Sequence, residues 1–334
     1  MSFRPKRVIL YLVTALLFVA TAFFLLLDRG TAPDYELDSG RTVTTPFNPD
    51  AEINEEIRVF FYPANPAPGD FVIVEAGPFS EEATVDLTFG FEGVLSEYYW
   101  AGSLLYAVIA IRFDTEPGIY QLTAQIDSGQ PEKDELTTEI TIAEKDFMLS
   151  HFSMPPDRTA GWTAARLAED REKVRLAREV TEPHPLWLQP FIVPLDGRIS
   201  SEYGAIRIVN DNPPRRHNGI DIAADEGTAV VSPAGGIVRL AEFLLSGGNT
   251  VIIDHGVGIS STYMHLHTIS VEVGRVIGRG DLIGTVGMTG YATGPHLHWE
   301  VNIGQTPVNP EQLMQNELLW IAPAYVADRF SKER

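Results

Sequence analysis

From Val8 to Leu27 the chain runs for twenty residues without a charge. At about 1.5 Å per helical residue that run spans about 30 Å, the thickness of a bilayer's hydrocarbon core. Between Ile57 and Ile142 the period changes to two. Val85, Leu87, Phe89 and Phe91 alternate with Asp86, Thr88 and Gly90, and Tyr120, Leu122, Ala124 and Ile126 alternate likewise. Alternation sends one set to a buried sheet face. Breaks at Pro68-Gly69-Asp70, Gly77-Pro78, Glu92-Gly93 and Pro117-Gly118 cut the segment into short strands. The pattern predicts an antiparallel, Ig-like β-sandwich over residues 51–145. Leu104 to Phe113 is apolar more continuously, as a central strand would be. Residues 159–181 are rich in Ala, Leu, Glu, Lys and Arg, with Leu167, Val174 and Ala177 near one face. They predict a helix within a connector of residues 146–189, with Arg166/Asp170 and Glu169/Lys173 spaced for side-chain pairing and Glu182-Pro183-His184-Pro185 as the stop. From Pro190 onward Gly and β-branched residues dominate and turn pairs are dense. This predicts an all-β domain over 190–310, then a tail over 311–334 with a short helix from Glu311 to Leu319. The predicted class is mainly β.

The apolar N-terminal run has two readings. Arg4, Lys6 and Arg7 precede it and should stay cytoplasmic under the positive-inside rule, so the remainder of the chain is exported. A signal peptide needs an apolar core of only about 7–15 residues and then a small-residue cleavage site. Ala20-Thr21-Ala22 could serve, but Phe23 to Leu27 continue the run past it. The preferred reading is an uncleaved single-pass membrane anchor over residues 1–28, a Gly- and Pro-containing linker over 29–50, and extracytoplasmic domains beyond. The balance of 25 Lys+Arg against 45 Asp+Glu, a net charge of −20, argues against a nucleic-acid partner, which would require a basic face. The absence of cysteine rules out disulfides, a thiol nucleophile and a Cys-ligated metal. The sandwich segment carries no histidine cluster or nucleophile arrangement. It reads as a spacer or binding module, with a protein partner left open.

Candidate chemistry is concentrated elsewhere. Six of the eight histidines fall between positions 217 and 298. His217 and Asp221 sit in HNGID, and His296 and His298 in GPHLHWE. Residues i and i+2 of a strand share a face, so both rings of the H-x-H point one way, while Leu297 and Trp299 point the other. Two histidines and a carboxylate can hold a catalytic zinc with one position open to water, or non-haem iron. Spacing alone leaves both open. YMHLH adds a second H-x-H, His265 and His267, between the two motifs.

Three blocks carry a resemblance: HNGIDIAADEGTAVVSPAGGIV, GGNTVIIDHGVGISSTYMHL and VIGRGDLIGTVGMTGYATGPHLHWEV. In that order and spacing they resemble the lysostaphin/LytM-type zinc metallopeptidases, over roughly residues 198–310. The resemblance implies a small antiparallel β fold with a narrow groove, one zinc ion held by His217, Asp221 and His298, and hydrolysis of peptide bonds in peptidoglycan cross-links. His296 would be the general base, and His265 would orient the water or stabilise the oxyanion. The family usually has another residue type at the position of His267, which reads as a rim or surface residue; His255 reads as structural, and His151 and His184 as incidental. Some relatives have lost ligands and act as non-catalytic activators of wall hydrolases or as envelope scaffolds. Here His217, Asp221, His265, His296 and His298 are all present, which favours an enzyme.

Overall fold

The structure is a computed structural model that describes residues 58–79, 83–96, 98–127, 134–153, 162–187, 189–210 and 213–314. Among them no helix is long and apolar enough to cross a membrane. The expected anchor and linker lie outside the described residues.

The period-two segment forms eight strands: β1 (Arg58–Tyr62), β2 (Phe71–Gly77), β3 (Thr84–Phe89), β4 (Gly93–Leu95), β5 (Tyr99–Ala101), β6 (Leu104–Ile111), β7 (Gly118–Asp127) and β8 (Asp134–Ile142). One antiparallel sheet runs β1-β2-β6-β4, with β5 also on β6, and the other runs β3-β7-β8. In β3, Val85 and Leu87 are buried while Asp86 and Thr88 face solvent, as the alternation requires. Val72, Val74, Leu105, Ala107 and Ile109 meet Val85, Leu87, Leu122, Ala124 and Ile140 between the sheets.

The near-continuous burial of β2 and β6 has a second cause. Their other face, with Phe71, Ile73, Tyr106, Val108 and Ala110, joins the core of the C-terminal domain. A sheet covered on both faces loses its alternation. Polar contacts close the seam. Asn309 N donates to Gly69 O at 2.8 Å. The Gln312 side chain takes Phe71 N at 2.7 Å and donates to Phe71 O at 3.2 Å. Gln312 lies on a one-turn helix, α2 (Glu311–Met314), and residues 315–319 of the expected helix lie outside the described residues.

The connector supplies β9 (Leu149–Phe152) and α1 (Ala164–Glu179). Thr163 caps α1, its hydroxyl accepting from Arg166 N at 3.2 Å. Val174 and Ala177 pack on Leu240, Leu244 and Ile252. Lys173 lies 3.8 Å from Glu169. Asp170 accepts instead from Leu245 N at 2.7 Å, in the turn that follows β15.

The C-terminal domain contains β10 (Arg198–Ser201), β11 (Ile206–Val209), β12 (Arg215–Arg216), β13 (Ile220–Ala223), β14 (Ala229–Val231), β15 (Gly236–Leu244), β16 (Gly248–Gly256), β17 (Ile259–Leu266), β18 (Thr268–Ile269), β19 (Val276–Ile277), β20 (Leu282–Thr285), β21 (His296–Ile303) and β22 (Thr306–Val308). The main sheet is antiparallel in the order β10-β13-β21-β17-β16-β15-β19, with β22 on β21. A small sheet, β14-β20-β18, and another, β12-β11-β9, complete it, with β9 parallel to β11.

His255 is part of this framework. It is fully buried on β16, donates from Nδ1 to Gly235 O at 2.7 Å, and accepts at Nε2 from the Ser261 hydroxyl at 2.7 Å. Burial lowers its pKa to about 4. A histidine lowered in this way contributes stability in full above its unfolded value of about 6.5, and the contribution is lost as pH falls through about 4. That shift corresponds to on the order of 3 kcal/mol. Urea midpoints measured from pH 7 to pH 4 should fall, and His255→Gln should flatten that slope.

Candidate metal centre and groove

The pairing of β13 with β21 sets Asp221 directly opposite His298 and Ala223 opposite His296. Side chains so paired have Cβ atoms about 4.5–5.5 Å apart. The pleat sends Leu297 and Trp299 into the core, both fully buried. His217 lies just before β13. It is held there by His217 N donating to Ala205 O at 2.9 Å and Gly204 N donating to His217 O at 2.8 Å. Between His217 and Asp221 the chain passes so close to β21 that a Cβ on Gly219 would stand 2.2 Å from Trp299 O. The need for glycine here is close approach. Gly219→Ala should lower stability by about 1–3 kcal/mol, read as a drop in Tm, and loosen the spacing of the two flanking side chains. In the loop before β21, Gly290 has a positive φ of 71°, which favours glycine, whereas Gly294 has neither a positive φ nor a crowded Cβ position.

Three side chains converge. His217 Nε2, Asp221 Oδ1 and His298 Nδ1 lie 2.8–3.0 Å from one another. Their outer hydrogen bonds decide where the protons sit. His217 Nδ1 faces Glu202 O at 2.8 Å, and His298 Nε2 faces Glu300 Oε1 at 3.0 Å. Both partners can only accept, so both outer nitrogens carry the proton. The three inner atoms are then two imidazole lone pairs and a carboxylate oxygen, all acceptors, a set that could hold a metal ion. A tetrahedral ion bound at about 2.0–2.1 Å spaces its ligands at about 3.3 Å, a few tenths of an ångström wider than here. The donor set therefore fits a divalent metal.

Two further histidines border the cluster. His296 donates from Nδ1 to Gly294 O at 2.8 Å, and its Nε2 lies 3.7 Å from Asp221 Oδ1. His265 donates from Nδ1 to Thr289 O at 2.8 Å, its ring centroid 4.8 Å from that of His296. His265 sits at φ 63°, an unusual conformation for a non-glycine residue. The β16–β17 register shifts between Asn249 and Val251, opposite this end of β17. Such a bulge re-aims a side chain. Above the cluster lies an open groove of about 290 Å³, walled by Ser200, Ser201 and Arg207 on one side and by Tyr291 to Pro295 on the other.

Residues 215–310, which include both histidine motifs, match Peptidase family M23. The chain carries an M23 peptidase domain. Over 113 residues the chain is 43% identical to the DD-carboxypeptidase/endopeptidase Mpg of Neisseria meningitidis, covering 34% of this chain and 26% of that protein. It is 39% identical over 113 residues to the peptidoglycan DD-endopeptidase ShyA of Vibrio cholerae, covering 31% and 26%. The chain thus spans about a quarter of the length of these curated relatives. A crystal structure assigned to peptidase M23, from Pseudomonas aeruginosa, matches 75% of this chain and 95% of its own, with 26% identity and a TM-score of 0.56. That likeness extends well beyond the M23 domain.

Within the M23 domain, electrostatics follow from the geometry. Burial alone would lower His298, but hydrogen bonds and charge from Asp221 and Glu300 outweigh it and push it up to about 9. Burial lowers His217, against the pull of Asp221. Burial opposes the charge on Asp221, yet the two imidazoles hold it far below the usual carboxylate range. Burial, reinforced by His296 and His298, lowers His265 to about 3, so it is neutral at physiological pH.

The structure brings His217, Asp221, His265, His296 and His298 together. It leaves His267 half-exposed and 3.1 Å from Glu226, outside the residues that line the groove. Sequence reasoning missed three residues. Glu300 follows His298 by two and shares its face, so the alternation that paired His296 with His298 could have found it. Arg207, on the groove wall and hydrogen-bonded to Asp221 Oδ2, and Arg178, on α1, left no local signal.

Proposed function

We propose that this chain is a zinc-dependent endopeptidase that hydrolyses peptide bonds in peptidoglycan cross-links. One observation carries the reading. Three potential ligand atoms, one each from His217, Asp221 and His298, converge within 3.0 Å of one another, and Asp221 lines an open groove together with the imidazoles of His265 and His296. The activities for which the Neisseria and Vibrio relatives are named support the substrate class.

His217, Asp221 and His298 would hold the zinc. Bound there, zinc supplies Lewis acidity, which polarises the scissile carbonyl and brings the pKa of water from about 15.7 toward about 7. The rest belongs to the protein. His296 has its proton fixed on Nδ1 by Gly294 O, so its Nε2 is free to take a proton from the attacking water. Once charged, it can return that proton to the departing amine, so that the peptide C–N bond breaks and water is divided between the two products. His265 is likewise protonated on Nδ1 and bare on Nε2. A bare nitrogen cannot donate to an oxyanion, so of the two roles the resemblance allows, His265 orients the water. The groove, walled by short side chains at Ser200, Ser201 and Ala292 to Gly294, suits an extended peptide of small residues.

A peptidoglycan substrate supports a reading in which the domain lies outside the cytoplasmic membrane, with the uncharged run of residues 8–27 as an uncleaved anchor. Membrane fractions should then contain a chain that retains its N-terminus.

The test is digestion of purified sacculi by the full-length chain. New amino groups should appear, chelator should stop their release, and added zinc should restore it. Mass spectrometry of the muropeptides identifies the bond. Sacculi left intact under zinc-replete conditions would refute the enzymatic reading.

A further inference from the structure

The metal centre is tied to a helix that contributes nothing to the groove. Arg178, in the last turn of α1, donates from Nη2 to Glu300 Oε2 at 2.6 Å and to Thr262 Oγ1 at 3.0 Å. The other Glu300 oxygen, Oε1, accepts from His298 Nε2 at 3.0 Å. His298 Nδ1 is the nitrogen that faces Asp221 and His217. The Arg178 and Glu300 side chains are 9% and 7% exposed.

Stability does not account for this pair. A buried ion pair contributes little beyond what apolar residues of the same volume would. Arg178 Nε, moreover, has no hydrogen-bond partner among the described residues, which adds a desolvation cost. What the pair does is fix a direction. With one oxygen engaged by Arg178, Glu300 aims the other at His298 Nε2. An acceptor there keeps the imidazole proton on Nε2 and the lone pair on Nδ1. In the opposite tautomer the proton would occupy the ligand position itself.

We propose that Arg178 is a positioning residue for the metal centre, setting the tautomer and ring orientation of His298 through Glu300. The proposal rests on the zinc reading of the cluster. Because Val174 and Ala177 dock α1 on the main sheet, the seating of the connector helix is registered at the metal.

The test measures the zinc dissociation constant of the full-length chain by competition with a chromogenic chelator. Partners of this kind are worth about 10–100-fold in metal affinity, so Arg178→Met should weaken zinc by that range, while Arg178→Lys, which keeps a cation beside Glu300, should return to within about threefold of the parent. Arg178→Met leaves a buried carboxylate without its partner and can lose the fold. The double variant R178M/E300M removes both charges at similar volume. It should melt no lower than the parent, still bind zinc about 10–100-fold more weakly, and show altered visible bands when loaded with cobalt(II). A parent chain that binds no zinc would overturn the metal reading itself. A parent that binds zinc, together with a double variant of equal affinity and unchanged cobalt spectrum, would overturn the role of Arg178 alone.

Discussion

Asp221→Ala is expected to abolish metal binding and hydrolysis together. Asp221 Oδ1 is the atom common to the cluster, 3.0 Å from His217 Nε2 and 2.8 Å from His298 Nδ1. Without it two neutral imidazoles remain, with no anionic ligand to offset a divalent charge. The loss of zinc affinity should exceed the ~10–100-fold that removal of an outer partner produces, and reach about 10³-fold or more. Cell-wall hydrolysis should fall to background at any practical zinc concentration. Metal content after dialysis, measured beside amino-group release, tests both halves at once. A variant that retains stoichiometric zinc would show that the ion is held elsewhere. The fold should survive, because Asp221 lies at the groove floor and the strand pairing of β13 with β21 uses backbone groups.

His296→Ala should separate binding from chemistry. His296 Nε2 lies 3.7 Å from Asp221 Oδ1, outside the triad of contacts at 2.8–3.0 Å. Its removal should leave zinc stoichiometry unchanged and lower kcat by about 10²–10⁴-fold, the range for loss of a positioned general base. KM should move little, since the groove walls stay in place. His298→Ala gives the contrast, with metal and activity lost together. If His296→Ala lost the metal and His298→Ala kept it, the two histidines of the H-x-H would have to exchange roles.

These two outcomes differ because of a single strand's geometry, and that part is legible in the sequence. Alternation alone places His296 and His298 on one face of β21 and sends Leu297 and Trp299 to the core. Alternation does not say which of the pair enters the cluster; only the family resemblance pointed to His298. The choice depends on Asp221 lying opposite His298, a pairing between strands about eighty residues apart. The sandwich shows the same division. Its strands follow from alternating apolar positions, but the unbroken burial of β6 arises because a second domain covers its outer face.

Local pattern determined the elements and the mainly β class, since strand period is a property of a few consecutive side chains; motif spacing singled out His217, Asp221, His296 and His298 as candidates, and only the family resemblance assigned their roles and that of His265. The tertiary structure decided the protonation pattern and the supports. Carbonyls of Glu202, Thr289 and Gly294 fix three imidazole protons, and the bulge at His265 turns its ring into the groove. Arg178 reaches the His217–Asp221–His298 cluster through Glu300 from a helix more than a hundred residues away in sequence. A hydrogen bond depends on where its acceptor lies in space, and no local pattern in this chain encodes that position.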